Sequence, residues 1–300
     1  MQKGPPTPKG FRDILPEVAK KRRDVIRKIE DVLLEFGFVP LETPTLEFAQ
    51  TLTGKYGEEE KLIYKFKDRG DRELALRYDL TVPLARFVTN NQALLKPTFS
   101  RYQVGQVFRG ENPQAGRYRE FTQFDMDTVG SSDLKEDAKV IATAIKAAKS
   151  VGLNSAIMII NDRKNFENIP TEVIRALDKI HKIQRTGVEE ELASQGYSKT
   201  DINEYLDKLL NAKMTNQLEE IFKILRSDYK IEDEVLFDTT LARGLDYYTG
   251  SIFELKSSND LESLSIGAGG RYDNLIGMFA DKQIPAVGFS FGIDRIVDLL

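Results

Sequence analysis

The chain has no cysteine and one histidine, His181. Without cysteine there are no disulfides and no thiolate metal sites. One histidine rules out a multi-histidine metal centre and makes histidine-based catalysis a poor reading. The start, MQKGPPTPKG, lacks an apolar signal core, and no apolar run approaches the length needed to span a bilayer. These absences point to the cytoplasm and away from membranes. An excess of positive charge is missing too. The net charge is −4 and the pI is near 5.4, so any contact with nucleic acid needs a local basic patch or a part lying elsewhere. What remains is an ordinary globular balance, 41% hydrophobic and 30% charged over 300 residues, enough for a substantial core in one large domain or two smaller ones.

The stretch 99–129, FSRYQVGQVFRGENPQAGRYREFTQFDMDTV, organises the rest. Residues 99–108 are rich in β-branched and aromatic types. Asn112, Pro113 and Gly116 supply turn chemistry, and 119–129 reads as a returning strand. Alternation puts Arg119, Phe121, Gln123, Asp125 and Asp127 on one face, and Thr122, Phe124 and Met126 on a core face. With Arg109, Glu111 and Arg117 on the loop, the first face could hold a polyanion, stack a base and orient a small polar ligand. On these residues alone, the solvated side of an antiparallel sheet is an equal reading.

Residues 1–10, with three prolines, form an extended arm. Val18, Val25, Ile29, Val32, Leu33 and Phe36 predict a helix over 17–36, whose basic start (Lys20 to Arg23) reads as a solvated face. Gly37 ends it, and 38–48 is extended. In 75–87, Arg77, Asp79 and Thr81 alternate before an apolar helix start. Asp79 suits an ammonium group, and equally a helix cap. An amphipathic helix over 132–150 leads to an apolar strand, 156–160, broken at Asn161 and Asp162. Helical periods between charged residues mark 165–228 as a helical insertion, where His181 reads as a solvated surface residue. Gly244 and Gly250 then bracket a polar-aromatic run before a strand, 251–255. A tight loop with tyrosines packed as core is the alternative there. The glycine-rich run 267–275 lacks the lysine and hydroxyl of a P-loop. The end, 285–300, reads as strand, Gly292 turn and helix, with Arg295 in the first helical turn.

These runs carry a resemblance. FRGEN…GRYREFTQ resembles motif 2 of class II aminoacyl-tRNA synthetases, and more narrowly that of histidyl-tRNA synthetases. KGFRDILP at 9–16 resembles that family's N-terminal signature, and the long helix with its following strand resembles motif 1, the dimer interface. RGLDYYTG at 243–250 matches the histidyl-specific motif without a break. GGRYD resembles a family turn that lets backbone approach the amino acid, and 285–300 resembles motif 3. The runs stand in family order and span nearly the whole chain. The fold implied is α+β: an antiparallel sheet flanked by helices, with a helical insertion. It divides as a first catalytic part over 1–164, the insertion over 165–228, and a second catalytic part over 229–300. The sequence stops about the motif 3 helix, so the expectation is a catalytic region without the C-terminal anticodon-binding domain.

By that resemblance the chain joins histidine and ATP to histidyl-adenylate, releases pyrophosphate, and passes histidine to the 3′ end of tRNA(His) as a homodimer. The catalytic pair would be Arg109 and Arg243, flanking the α-phosphate. Arg117 would hold the outer phosphates, Phe121 and Arg295 would sandwich adenine, and Glu111 would help place the adenosine or a cation. Mg²⁺ would arrive with ATP, with no metal ligands of the protein's own. Asp79, Thr81 and Gln123 would take the ammonium end of histidine, Asp127 and Tyr248 its ring, and Tyr247 and Tyr272 would line the pocket beside Arg243. Many bacterial members carry Glu at the positions of Asp79 and Asp127, which leaves direct or water-mediated contact open at Asp127. The insertion would help hold the acceptor stem. The family also contains a non-catalytic relative, the regulatory subunit of ATP phosphoribosyltransferase, which keeps the fold and senses histidine. Here Arg109, Arg117, Arg243 and Arg295 all stand, which favours the ligase.

Overall fold

The computed structural model describes residues 4–113, 117–242 and 247–300. Helix α1 (Pro16–Glu35) has Pro at its N-terminus, where the missing N–H costs nothing, and buries Val25, Ile29, Val32 and Leu33 along one stripe. Short strands β1 (Val39–Pro40) and β2 (Leu46–Phe48) follow, then helix α2 (Ala49–Leu52) and strands β3 (Lys65–Lys67) and β4 (Glu73–Leu76). Helix α3 (Thr81–Asn91) leads to the central hairpin of β5 (Phe99–Phe108) and β6 (Glu120–Val129). Helix α4 (Leu134–Ser150) starts at Asp133, whose side chain accepts from the Lys135 N–H. Strand β7 (Ile157–Asp162) comes next, followed by helices α5 (Thr171–Leu177), α6 (Ile180–Ser194), α7 (Lys199–Leu210) and α8 (Asn216–Tyr229). Strands β8 (Val235–Phe237), β9 (Ser251–Lys256), β10 (Ser265–Arg271) and β11 (Ala286–Gly292) precede helix α9 (Ile293–Leu299).

Among the described residues, eight strands form one sheet in the order β1-β5-β6-β11-β10-β9-β7-β8. The hairpin is as read, with Arg101 opposite Asp127 and Val107 opposite Phe121. The sheet is mixed rather than purely antiparallel. Its middle strands alternate in direction, but β1 runs parallel to β5 and β8 parallel to β7. Both parallel pairs lie at sheet edges and both are joined by long crossovers, which parallel pairing requires. A second, three-stranded sheet, β2-β4-β3, stands beside it.

One face of the large sheet is covered. Phe124, Met126, Val287 and Phe289 share a core with α1, α4, α8 and α9. The opposite face carries Gln123, Asp125 and Asp127 and faces the cavity described below. The four helices of 165–228 divide between two cores. In α5, α6 and α7, Val173, Leu177, Val188, Leu192 and Leu206 cluster with Ile159, Leu241 and Ile252. Helix α8 instead places Leu218, Ile221 and Leu225 in the main core, against α4. Its apolar stripe has the same period as its neighbours', so sequence alone gives no sign of which core it joins. Asn161 and Asp162, read as a strand break, are in fact buried in β7; the Asn161 amide donates to the Thr239 and Leu241 carbonyls.

Leu225 is fully buried. Leu225→Ala should lower the unfolding free energy by about 2–5 kcal/mol, the usual range for such a truncation. Urea denaturation followed by circular dichroism measures it.

Candidate active site

A cavity of about 520 Å³ opens on the polar face of the sheet. Every candidate residue that the structure describes lines it: Asp79, Thr81, Arg109, Glu111, Arg117, Phe121, Gln123, Asp127, Tyr247, Tyr248, Tyr272 and Arg295. Arg243 and the rest of 243–246 lie outside the described residues, as does the loop at 114–116.

The inner end is acidic. Asp79 is buried, and its Oδ1 accepts from the N–H groups of Thr81 and Val82 at 3.1 and 3.0 Å and from the Tyr56 hydroxyl at 3.0 Å. It therefore caps α3, one of the two readings of the sequence. The other survives on the second oxygen, since Asp79 Oδ2 has no hydrogen-bond partner among the described residues. Gln123 is arranged likewise. Its amide nitrogen donates to Ser290 Oγ at 2.9 Å, and its buried Oε1 has no hydrogen-bond partner. Ser290 passes its own proton to Asp125 Oδ1, closing a chain from β6 to β11 and back. Two buried acceptors without donors make a receptor for an ammonium group.

Burial sets the charge state of this end. Desolvation raises the pKa values of Asp79 and Asp127, and carries Asp125 to about 7, with Arg101 pulling down and Asp127 pushing up. Asp127 is held by the Tyr272 hydroxyl and by an ion pair with Arg101. Gly288 faces it across the sheet, and a Cβ there would collide with Asp127 Oδ1. Gly270 works the same way, with the Tyr248 ring packed where its side chain would be. The glycine-rich run is strand β10 as far as Arg271 and turns only after it, at 273–275. Its glycines Gly267, Gly269 and Gly270 admit neighbouring rings and backbone.

The outer end is basic. Arg109 lies 4.4 Å above the Tyr78 ring and 5.0 Å from the Phe121 ring, and its Nε donates to the Tyr78 carbonyl at 3.2 Å. Two aromatic faces and one carbonyl hold a planar cation in place and leave edge donors free. Arg117 is exposed, 3.8 Å from Glu111. Arg295 sits in the first turn of α9 and donates to the Ser265 carbonyl at 3.0 Å. The adjacent Asp294 is a junction: its carboxylate accepts from Arg12, from Arg22 and from the Thr122 N–H. That fixes the start of α9 to β6 beside Phe121.

Some neighbours were placed otherwise by sequence. Arg119 does not enter the cavity; it donates to the Glu111 and Lys9 carbonyls and ties the N-terminal arm to the hairpin loop. Arg77 braces the Thr43 and Gln106 carbonyls. His181 is exposed at the surface, as read, and its ring nitrogen pairs with Thr240 Oγ1 at 2.7 Å. Tyr56, Glu59, Arg101, Asp125, Ser290 and Asp294 were not assigned to the site. Only Asp125 gave a usable signal, its place on the polar face of β6.

The cavity brings buried acceptors and arginines together on one surface. That suits an amino acid whose carboxylate meets the phosphates of a nucleotide. A sequence model of histidyl-tRNA synthetases matches residues 10–183 and 162–296. The chain is 40% identical to the histidine–tRNA ligase of Aeropyrum pernix, over 98% of this chain and 74% of that one. The chain belongs to the histidyl-tRNA synthetase family. It is also 41% identical to the Helicobacter pylori J99 histidine–tRNA ligase, over 97% of this chain and 74% of that one. Among solved structures, histidyl-tRNA synthetase from Nostoc superposes with a TM-score of 0.83 at 27% identity, covering 100% of this chain and 76% of that one. An ATP phosphoribosyltransferase regulatory subunit/histidyl-tRNA synthetase from Bacillus halodurans gives 0.81 at 27%, covering 98% and 83%.

A histidyl-tRNA synthetase domain with so many buried acids should be sensitive to pH. Between the ordinary carboxylate range and about 7, folded Asp125 holds a proton that the unfolded chain has lost. Stability therefore falls as pH rises through that window. Asp125→Asn should flatten this part of the curve, measured as urea midpoints across the same window.

Proposed function

We propose that this chain acts as a histidine–tRNA ligase, activating histidine with ATP and then esterifying the tRNA 3′ end. The observation that carries the reading is one cavity lined both by acceptors without hydrogen-bond partners among the described residues, Asp79 Oδ2 and Gln123 Oε1, and by Arg109, Arg117 and Arg295. Histidine would seat its ammonium on the two acceptors and its ring between Asp127 and Tyr248, with Tyr247, Tyr272 and Thr81 closing the walls. A buried site that pairs both ring nitrogens discriminates strongly, because a wrong ligand leaves polar groups unpaired.

In the first step a carboxylate oxygen of histidine attacks the α-phosphorus of ATP. The bond to the bridging oxygen breaks and pyrophosphate leaves with the electron pair. This chemistry needs alignment and charge neutralisation rather than covalent help. Arg109, gripped by Tyr78 and Phe121, is preorganised for the phosphate. By family resemblance Arg243 joins it, Arg117 and Glu111 serve the outer phosphates and adenosine, and Phe121 and Arg295 enclose adenine. In the second step a ribose hydroxyl of tRNA attacks the acyl carbon and AMP leaves. Mg²⁺ belongs to the MgATP substrate. Among the described residues no cluster of three acidic or histidine side chains is set to hold a metal, and no step is routed through one.

The wider setting is part of the same proposal. The protein works in the cytoplasm as a homodimer through the α1 and β1 region, and no described helix is long and apolar enough to cross a membrane. Residues 1–164 and 229–300 form the catalytic part, and 165–228 the insertion that meets the acceptor stem, with α8 packed into the catalytic core. A regulatory role is not better supported, since the three described arginines that ATP would need line the cavity.

The test is histidine-dependent ATP–pyrophosphate exchange. Exchange with histidine and no other amino acid is expected. Arg109→Ala should lower kcat by roughly 10²–10³-fold, the scale for losing one preorganised donor. Arg243→Ala should abolish adenylate formation while histidine still binds by calorimetry. A folded, histidine-binding protein without exchange would contradict the ligase reading.

A further inference from the structure

Arg101 stands on β5 directly across from Asp127 on β6. Its side chain is fully buried, and Nη2 lies 2.6 Å from Asp127 Oδ2. Nε and Nη1 have no hydrogen-bond partner among the described residues, and Nη2 adds only a long contact, 3.4 Å, to the Leu80 carbonyl. A buried guanidinium with so few partners is a poor stabiliser. Replacing buried ion pairs with apolar groups is often neutral or favourable to stability. Nor does Arg101 reach a ligand, for it is not among the residues lining the cavity. Its one close partner is the carboxylate at the cavity floor.

That carboxylate is constrained on every side. Tyr272, just after β10, donates to Oδ1. Gly288 on β11 lies flat against the same oxygen. Arg101 on β5 faces Oδ2 as a counter-ion, and that oxygen has no hydrogen-bond partner among the described residues. Among the described residues, the other titratable groups acting here are Asp125 on the same strand and Tyr248 across the cavity. From β11, Gly288 and Ser290 face the cavity without charge. Burial favours a neutral Asp127; the Arg101 cation opposes it most strongly, and the hydroxyl of Tyr272, which donates to Oδ1, opposes it too. The distinction matters chemically. An ionised carboxylate only accepts hydrogen bonds, whereas a protonated one presents a donor.

We propose that Arg101 is a specificity-determining positioning residue, holding Asp127 as an oriented, acceptor-only carboxylate so that the cavity floor takes a ligand ring through an N–H. The proposal deepens the reading of the cavity as a histidine site and rests on it. Arg101 touches Asp127 and also lowers the pKa of the neighbouring Asp125, so its removal weakens recognition of the ring and leaves the nucleotide-binding arginines untouched.

Exchange kinetics over the neutral pH range, with thermal unfolding and histidine calorimetry, test this on Arg101→Met, Arg101→Leu and Arg101→Lys. Both apolar variants fold. Each raises the KM for histidine by about tenfold or more, the scale of one unit of displaced pKa, while the KM for ATP stays put and kcat changes less. The acid limb of kcat/KM for histidine moves to higher pH in both, because Asp127 without its counter-ion ionises later. Arg101→Lys moves the limb back toward wild type. In an Asp127→Asn background, Arg101→Met leaves the KM for histidine unchanged, and in an Asp125→Asn background it still moves the limb. Unfolding of both apolar variants would overturn the proposal in favour of a structural role, as would equal losses in the Met and Lys variants with an unmoved limb. A wild-type KM in Arg101→Met would overturn it as well. Wild-type protein that neither binds histidine nor exchanges would instead sink the histidine reading, and this proposal with it.

Discussion

Charge separation across one face of a sheet is the constraint on which the rest depends. Asp79, Asp125 and Asp127 are kept out of water in the wall of a cavity that Arg109, Arg117 and Arg295 also line. Charges of one sign collapse onto the other unless the backbone holds them apart. Here the hairpin of β5 and β6 does so by alternation, with acids toward the middle of the sheet and arginines toward the loop. The covered face of the same strands supplies the rigidity. Phe124 and Met126, fully buried under α4, fix the register of the polar side chains between them.

The acids are costly to bury, and the structure tempers that cost unevenly. Asp137, on the helical side, is answered by Arg271 and Ser251 and does no more than join α4 to the sheet. Asp127 has Arg101 and Tyr272. Asp79 has two backbone donors and Tyr56 on one oxygen, and nothing on the other. Asp125 has Ser290 and titrates near neutrality. Satisfaction thus decreases toward the cavity, and the remaining deficit is what a cationic, hydrogen-bonding ligand would fill. On the proposed reading one carboxylate can both hold a helix start and serve a ligand: Asp79 Oδ1 accepts from the N–H groups of Thr81 and Val82, and Oδ2 has no hydrogen-bond partner among the described residues.

Much of this was legible in sequence. The hairpin follows from two ten-residue runs with period-two alternation and turn residues between them. The site residues came from motif resemblance laid over that pattern, and those the structure describes converge on one cavity. What was not legible depends on partners far away in the chain. Arg101 lies in the first strand of the hairpin, where no local pattern tells a buried arginine from an exposed one; its role appears only when Asp127 is set opposite. Asp294 hid beside Arg295, its partners Arg12 and Arg22 being more than 270 positions away. Strand β10 was obscured because glycines leave no alternation to read. The parallel edges were missed because they follow from long crossovers, and α8 because its stripe fits either core.

On the proposed reading, the cavity's buried acceptors take an ammonium group and its arginines take phosphates. That reading is tested most directly by a crystal structure with histidinol and ATP bound together. Histidinol keeps the ammonium and the ring but lacks the reacting carboxylate. The account predicts its ammonium within hydrogen-bonding range of Asp79 Oδ2 and Gln123 Oε1, a ring N–H toward Asp127, and the phosphates at Arg109. An ammonium found elsewhere, with those two acceptors still unpartnered, would contradict it.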